Sequence, residues 1–235
     1  MNPYLKRYVR CPMLNPGKLK TDPIKIGSTI NPPETKTGRH HIQNPANRCS
    51  FVLKPSEFPG VKKAEIVVGV NSIYLPYYPR EIASIRLPTN GPTFFFTDNM
   101  SGCAFFIDRF QNGDLVVYHA NSLEGSDKVT MEAHVPSYQS RKAVGELGSL
   151  YFTARSSYPG AVPAKALYKT EYLKIVDVAM RIRHATKEID DTTGKHYLGA
   201  TTIIGFRNGA KWDFWFQNWM QVRGKVQVVY HKKFY

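Results

Sequence analysis

Leu198-Gly-Ala-Thr-Thr-Ile-Ile-Gly-Phe-Arg-Asn-Gly-Ala-Lys-Trp-Asp-Phe-Trp-Phe-Gln-Asn-Trp-Met-Gln-Val222 gives the clearest view of the fold. Two runs, 198–207 and 211–222, flank Asn208-Gly209. Both turn residues tolerate positive φ, so the runs read as a β-hairpin. Under a period of two, Trp212, Phe214 and Phe216 share one face of the second run, and Trp215 and Trp219 share the other. A strand apolar on both faces belongs inside a layered structure. Residues 225–230 read as a further strand closing the sheet.

Upstream, 51–53, 64–70, 81–87 and 93–96 are short β-branched or apolar runs bounded by Pro, Gly and Asn, and each reads as a strand. Residues 128–133 and the alternating run 175–183 are further strand candidates. Helix is expected over 137–157, with Ser137 as N-cap, and from Pro163 through Tyr172, with proline in the first turn. Residues 1–50 are basic and punctuated by Pro12, Pro16, Pro23, Pro32, Pro33 and Pro45. They read as a coil packed on the domain, with a short strand near 24–26, and His40-His41 as solvated histidines. Strands, a helical middle and more strands suggest one α+β domain over 1–235, with packed, mainly antiparallel sheets flanked by helices.

The chain carries 42% hydrophobic and 13% aromatic residues, a composition that excludes a disordered chain. The formal net charge of +14 points to an acidic partner or serves solubility, and the basic residues are spread rather than blocked. No nucleic-acid fold signature appears, and the aromatic residues do not interleave with Lys and Arg as a single-strand groove requires. Cys11, Cys49 and Cys103 cannot all pair and match no zinc spacing, so neither a disulfide scaffold nor a metal site is expected. A Cys11–Cys49 bridge stays open. No cofactor is expected. The N-terminal residues lack the apolar core of a signal peptide, and no apolar run nears the ~20 residues of a membrane span.

The chemistry concentrates in Thr97-Asp-Asn-Met-Ser-Gly-Cys103 and the residues that follow it, through His119. A thiol becomes a nucleophile near neutral pH when a base or cation stands beside it. Asn112-Gly113 sits between the strand after Cys103 and the strand ending in His119. A two-residue turn there would put Cys103 and His119 on opposite faces. A three-residue loop, Gln111-Asn112-Gly113 with Gly113 left-handed, would set Cys103 opposite Asn121, with His119 diagonal on the same face. Only the second register makes a dyad. Ser101-Gly102 forms a flexible corner that lets the sulfur stand clear and offers backbone N–H groups to an oxyanion. Asn121 is a third polar candidate. His134, His184, His196 and His231 are scattered and read as structural or solvated.

Thr97, Met-Ser-Gly-Cys103 and His119 on the next strand resemble the bacterial toxin glutamine deamidases, a group that includes the cytotoxic necrotizing factor catalytic domain and the Burkholderia lethal factor with its Leu-Ser-Gly-Cys motif. The resemblance covers about residues 97–121, with Met100 where that pattern has leucine. It implies a β-sandwich core and glutamine deamidation through a thioester. Cys103 would be the nucleophile, His119 the base and acid, and Thr97 the residue that positions the histidine. It further implies a host protein as substrate, with a small Rho-type GTPase or a translation initiation factor helicase as precedents. A monomer made in the bacterial cytoplasm, exported and active in the host cytosol, is the matching expectation. The competing readings are a basic binding module for nucleic acid or an acidic protein, and a transglutaminase or protease sharing the thioester step.

Overall fold

The computed structural model describes residues 24–28, 41–43, 48–55, 62–78, 81–98, 100, 103–121, 138–172, 199–222 and 225–235. These form thirteen strands and two helices. In chain order they are β1 (Ile24–Ser28), β2 (His41–Gln43), β3 (Arg48–Pro55), β4 (Lys62–Val68), β5 (Ser72–Leu75), β6 (Ile82–Leu87), β7 (Phe94–Thr97), β8 (Ala104–Arg109), β9 (Leu115–Ala120), α1 (Tyr138–Arg155), β10 (Val162–Leu167), α2 (Lys169–Tyr172), β11 (Gly199–Asn208), β12 (Lys211–Val222) and β13 (Lys225–Lys233).

The strands build two sheets. The large sheet runs β1-β4-β3-β5-β7-β11-β12-β13 and the small sheet β10-β8-β9-β6-β2. The ladders β1–β4, β5–β7 and β2–β6 are parallel, and the other described ladders are antiparallel. The architecture is therefore the sheet-dominated α+β class expected from the strand pattern.

Side-chain alternation decides how the layers stack. In β12, Trp212, Phe214 and Phe216 join Phe95 of β7 and Phe105, Ile107, Leu115 and Val117 of the small sheet in one buried cluster. That cluster is the interior between the sheets. The opposite face of the small sheet, with Phe106, Val116 and Tyr118, is covered by Leu147, Tyr151 and Ala154 of α1. Tyr151 stacks on Phe106 at 4.4 Å between ring centroids. Phe51, Tyr74, Phe96 and Ile204 make a second apolar layer on the far face of the large sheet. Each fully buried phenylalanine contributes about 1.5–3 kcal/mol through burial. Gly205 marks a close approach in this interior: a Cβ there would lie 2.9 Å from both Phe214 Cε1 and Phe95 Cβ.

Several local expectations are corrected. Residues 162–167 form an edge strand rather than a helix. Pro163 sits on the sheet margin, where no second neighbour needs its missing N–H, and a bulge follows it. Within 1–50, the short strand expected near 24–26 is present as β1, whereas residues 41–43 and 48–50 are strand and not coil. His41 is 2% exposed and hydrogen-bonded, so it is a core histidine. The hairpin turn is Gly209-Ala210, one residue later than expected, because Asn208 pairs with Lys211. Gly209 takes the positive φ, +59°. Cys49 is a free thiol. The candidates at 128–133 and 175–183, and the N-cap Ser137, lie outside the described residues.

Candidate functional site

The β8–β9 hairpin closes with the three-residue loop. Phe110 N–H donates to Asp114 O at 2.9 Å and Gly113 N–H to Phe110 O at 3.0 Å. Gly113 has φ +88°, a left-handed conformation that a side chain strains. Asn112 Oδ1 accepts from Asp114 N–H, and the Asp114 carboxylate is held by Arg86 and by Thr89 N–H. Phe105 then pairs with His119 and Ala104 with Ala120. One step further, Cys103 lies opposite Asn121. Cys103, Phe105, His119 and Asn121 thus share the interior face of the small sheet.

Thr97 approaches from the other sheet. It is the last residue of β7 and points inward with Phe95. The five residues between Thr97 and Cys103 carry the chain from the large sheet to the small one. Two contacts pin that corner. Asp98 N–H donates to Leu75 O, and Met100 pairs with Thr201 of β11. The result is a hydrogen bond between Thr97 Oγ1 and His119 Nδ1 at 2.6 Å, across the sandwich.

Thr97, Cys103, His119 and Asn121 are all buried. Burial disfavours the charged imidazolium and lowers the His119 pKa to about 3, so the ring is neutral near pH 7. His119 Nε2 is buried with no hydrogen-bond partner among the described residues. Asn121 Nδ2 donates to Cys103 Sγ at 3.5 Å. Tyr172 hydroxyl donates to Cys103 O. The Tyr77 ring covers His119 at 5.8 Å between centroids, and Tyr77 N–H is tied to Asp98 Oδ2. Neutral imidazole, thiol, and an amide donor on the sulfur are the groups that acyl transfer through a thioester uses. Cys49 provides a contrast: buried on the far face of the large sheet, its thiol is pushed up to about 12.

The structure thus brings together Thr97, Cys103, His119 and Asn121. Ser101 and Gly102 lie outside the described residues. Cys103 is only 2% exposed, which corrects the expectation of a sulfur standing clear. Asp108 faces α1, opposite Cys103, where it accepts from Tyr118 and Tyr151 and pairs with Arg155 at 3.3 Å. A second buried polar group was not visible in the sequence. His41 Nε2 bonds Ser84 Oγ at 2.8 Å, Ser84 Oγ bonds Tyr158 hydroxyl at 2.8 Å, and Ser157 Oγ meets His41 Nδ1 at 3.5 Å. Among the described residues, no three His, Cys, Asp or Glu side chains gather to hold a metal ion, and no helix is long and apolar enough to cross a membrane.

No protein-family model and no curated protein matches the chain. Among solved structures, the chain is similar to the C-terminal domain of CNFy from Yersinia pseudotuberculosis, with a TM-score of 0.32 and 12% identity. The match covers 69% of this chain and 62% of that one, so the chain spans less than two thirds of the solved structure it matches.

Proposed function

We propose that this chain is a cysteine-dependent deamidase that converts a glutamine side chain of a host protein to glutamate. The observation that carries the reading is the 2.6 Å bond between Thr97 and the buried, neutral His119, on the face that also holds Cys103. The Met-Ser-Gly-Cys103 motif adds the resemblance to toxin deamidases.

In this mechanism His119 Nδ1–H donates to Thr97, leaving the Nε2 lone pair as base. The Cys103 thiol gives its proton to Nε2 as sulfur attacks the glutamine carboxamide carbon. Because burial makes a free imidazolium costly, proton transfer and attack proceed together. Asn121 and backbone N–H groups at Ser101-Gly102 hold the oxyanion. Collapse of the adduct breaks the carbon–nitrogen bond, and the nitrogen leaves as ammonia with the proton from Nε2. Water then gives a proton back to Nε2 and opens the thioester, releasing glutamate and restoring the thiol.

The test is mass spectrometry of host-cell proteins after exposure to wild type and Cys103→Ser. Glutamine-to-glutamate conversion at defined sites, absent with Cys103→Ser, is the expected result. Amine adducts would make the enzyme a transglutaminase, and conversion that survives Cys103→Ser would reject the cysteine mechanism. Site-resolved alkylation supplies a second check. Cys49 and Cys103 are buried alike, at 3% and 2% exposed, so faster labelling of Cys103, slowed in His119→Ala, is expected from its chemistry.

A further inference from the structure

Beyond the thiol and the histidine, the sandwich interior holds a polar pair that none of the steps above uses. β11 residues Thr201, Ile203 and Gly205 alternate inward, as do Asn218, Phe216 and Phe214 of β12. Thr201 pairs directly with Asn218 in the ladder. Asn218 is 3% exposed, and its Nδ2 donates to Thr201 Oγ1 at 2.7 Å. Its Oδ1 is buried with no hydrogen-bond partner among the described residues.

The registers place this pair relative to the site. Ile204 pairs with Phe96, so Thr97 stands beside Ile203. Ile203 pairs with Phe216, and the next inward row is Thr201 with Asn218. In the small sheet the row after Phe105 and His119 is Cys103 with Asn121. Thr97 and His119 bond across the gap, while Phe105, paired with His119, packs on Phe95 and Phe214. Both further rows lie towards the corner that joins Thr97 to Cys103, and Met100 in that corner pairs with Thr201. The Thr201–Asn218 row and the Cys103–Asn121 row therefore lie towards the same end of an interior that is otherwise lined by residues such as Phe95, Phe105, Val117 and Phe214.

We infer that Asn218 is the specificity residue for a primary carboxamide, accepting an N–H of the substrate glutamine at Oδ1; this rests on the deamidase reading. A carboxamide brings two N–H donors and one carbonyl acceptor. The carbonyl oxygen goes to the oxyanion donors, so the nitrogen needs an acceptor. Thr201 occupies Nδ2, which fixes the amide of Asn218 and leaves its acceptor end for the ligand. With one N–H held, the nitrogen lone pair is oriented to take the proton from His119 Nε2 as the carbon–nitrogen bond breaks and ammonia leaves. A carboxylate or ester has no N–H to offer, so the product glutamate is held less well than the substrate.

Two readouts separate this role from the deamidase reading itself. The first is ammonia released from the proteins of a desalted host-cell lysate. The second is acylation of Cys103 by p-nitrophenyl acetate, which needs the thiol but carries no N–H. Asn218→Leu, checked for a wild-type near-ultraviolet dichroism spectrum, is expected to lower ammonia release roughly 10- to 100-fold and leave acylation within about threefold. Asn218→Asp, which keeps an acceptor at the same position, is expected to retain ammonia release within about tenfold. An unchanged ammonia rate in Asn218→Leu, or equal losses in both assays, would overturn the assignment of Asn218. Wild type that is acylated at Cys103 yet releases no ammonia would reject the deamidase reading, and the inference with it.

Discussion

Replacing Thr97 by valine probes the contact that joins the two sheets at the site. The substitution keeps the shape of a fully buried side chain and removes only the hydroxyl that lies 2.6 Å from His119 Nδ1. Nε2 of the same ring already has no partner among the described residues. The variant therefore leaves a second buried nitrogen unsatisfied, at a cost of about 1–3 kcal/mol. For a chain of this length that corresponds to a fall in Tm of roughly 2–4 °C per kcal/mol. His119→Phe removes the polar ring and fills the space. In the double variant both partners are apolar, so the loss from Thr97→Val should be largely recovered. Urea unfolding at pH 7, followed by tryptophan fluorescence and circular dichroism, gives the four free energies of the cycle. A coupling of about 1–3 kcal/mol is expected. If Thr97→Val lies within about 0.3 kcal/mol of wild type, or the two changes simply add, the bond across the sandwich does not stabilise the fold as argued.

Acid should destabilise the protein through its buried histidines. Burial lowers His41 to about 4 and His119 to about 3, whereas both titrate near 6.5 when unfolded. Below pH 6.5 the unfolded chain binds protons that the folded one refuses, so stability falls as pH drops towards those folded values, by roughly 3 kcal/mol for His41 alone. Urea midpoints between pH 7 and 4 should show this slope, and His41→Gln should flatten it; a slope identical to wild type would refute the assignment. Gly205→Ala should cost about 1–3 kcal/mol by overpacking against Phe95 and Phe214. Phe214→Leu in the same chain should recover part of that loss, and strict additivity would show that the ring is not the obstacle.

What could be read in the sequence follows the range of the interactions involved. The period of two in Trp212, Phe214 and Phe216 identified the interior face of β12, because alternation is a local property of a strand. The hairpin register was reduced to two alternatives by Asn112-Gly113, and the left-handed Gly113 realises the one that puts Cys103 and His119 on one face. The distance between Thr97 and His119 was not legible, since it depends on how two sheets stack. The same holds for His41, whose partner Ser84 is forty-three residues away. Pro163 misled because proline at a helix start and proline on a sheet edge look alike locally. The bond pattern of β10 with β8, more than fifty residues apart, decides between them.

Two buried histidines show why the Thr97–His119 pair reads as a site and the His41 cluster as structure. Both rings are 2% exposed, and burial holds both neutral. His41 has partners at both nitrogens, Ser84 at Nε2 and Ser157 at Nδ1. It is the closed arrangement that a core polar group needs in order to cost little. His119 is satisfied only at Nδ1, and its other nitrogen faces an interior where Asn218 also leaves an oxygen unpaired. Each such atom forgoes about 1–3 kcal/mol, and an apolar residue of similar size would avoid the loss. A structural role does not require that expenditure twice at the same end of a sandwich. Both atoms are acceptors, since His119 donates at Nδ1, so a ligand that brings two donors would satisfy them, and the nitrogen of a primary carboxamide carries two N–H groups.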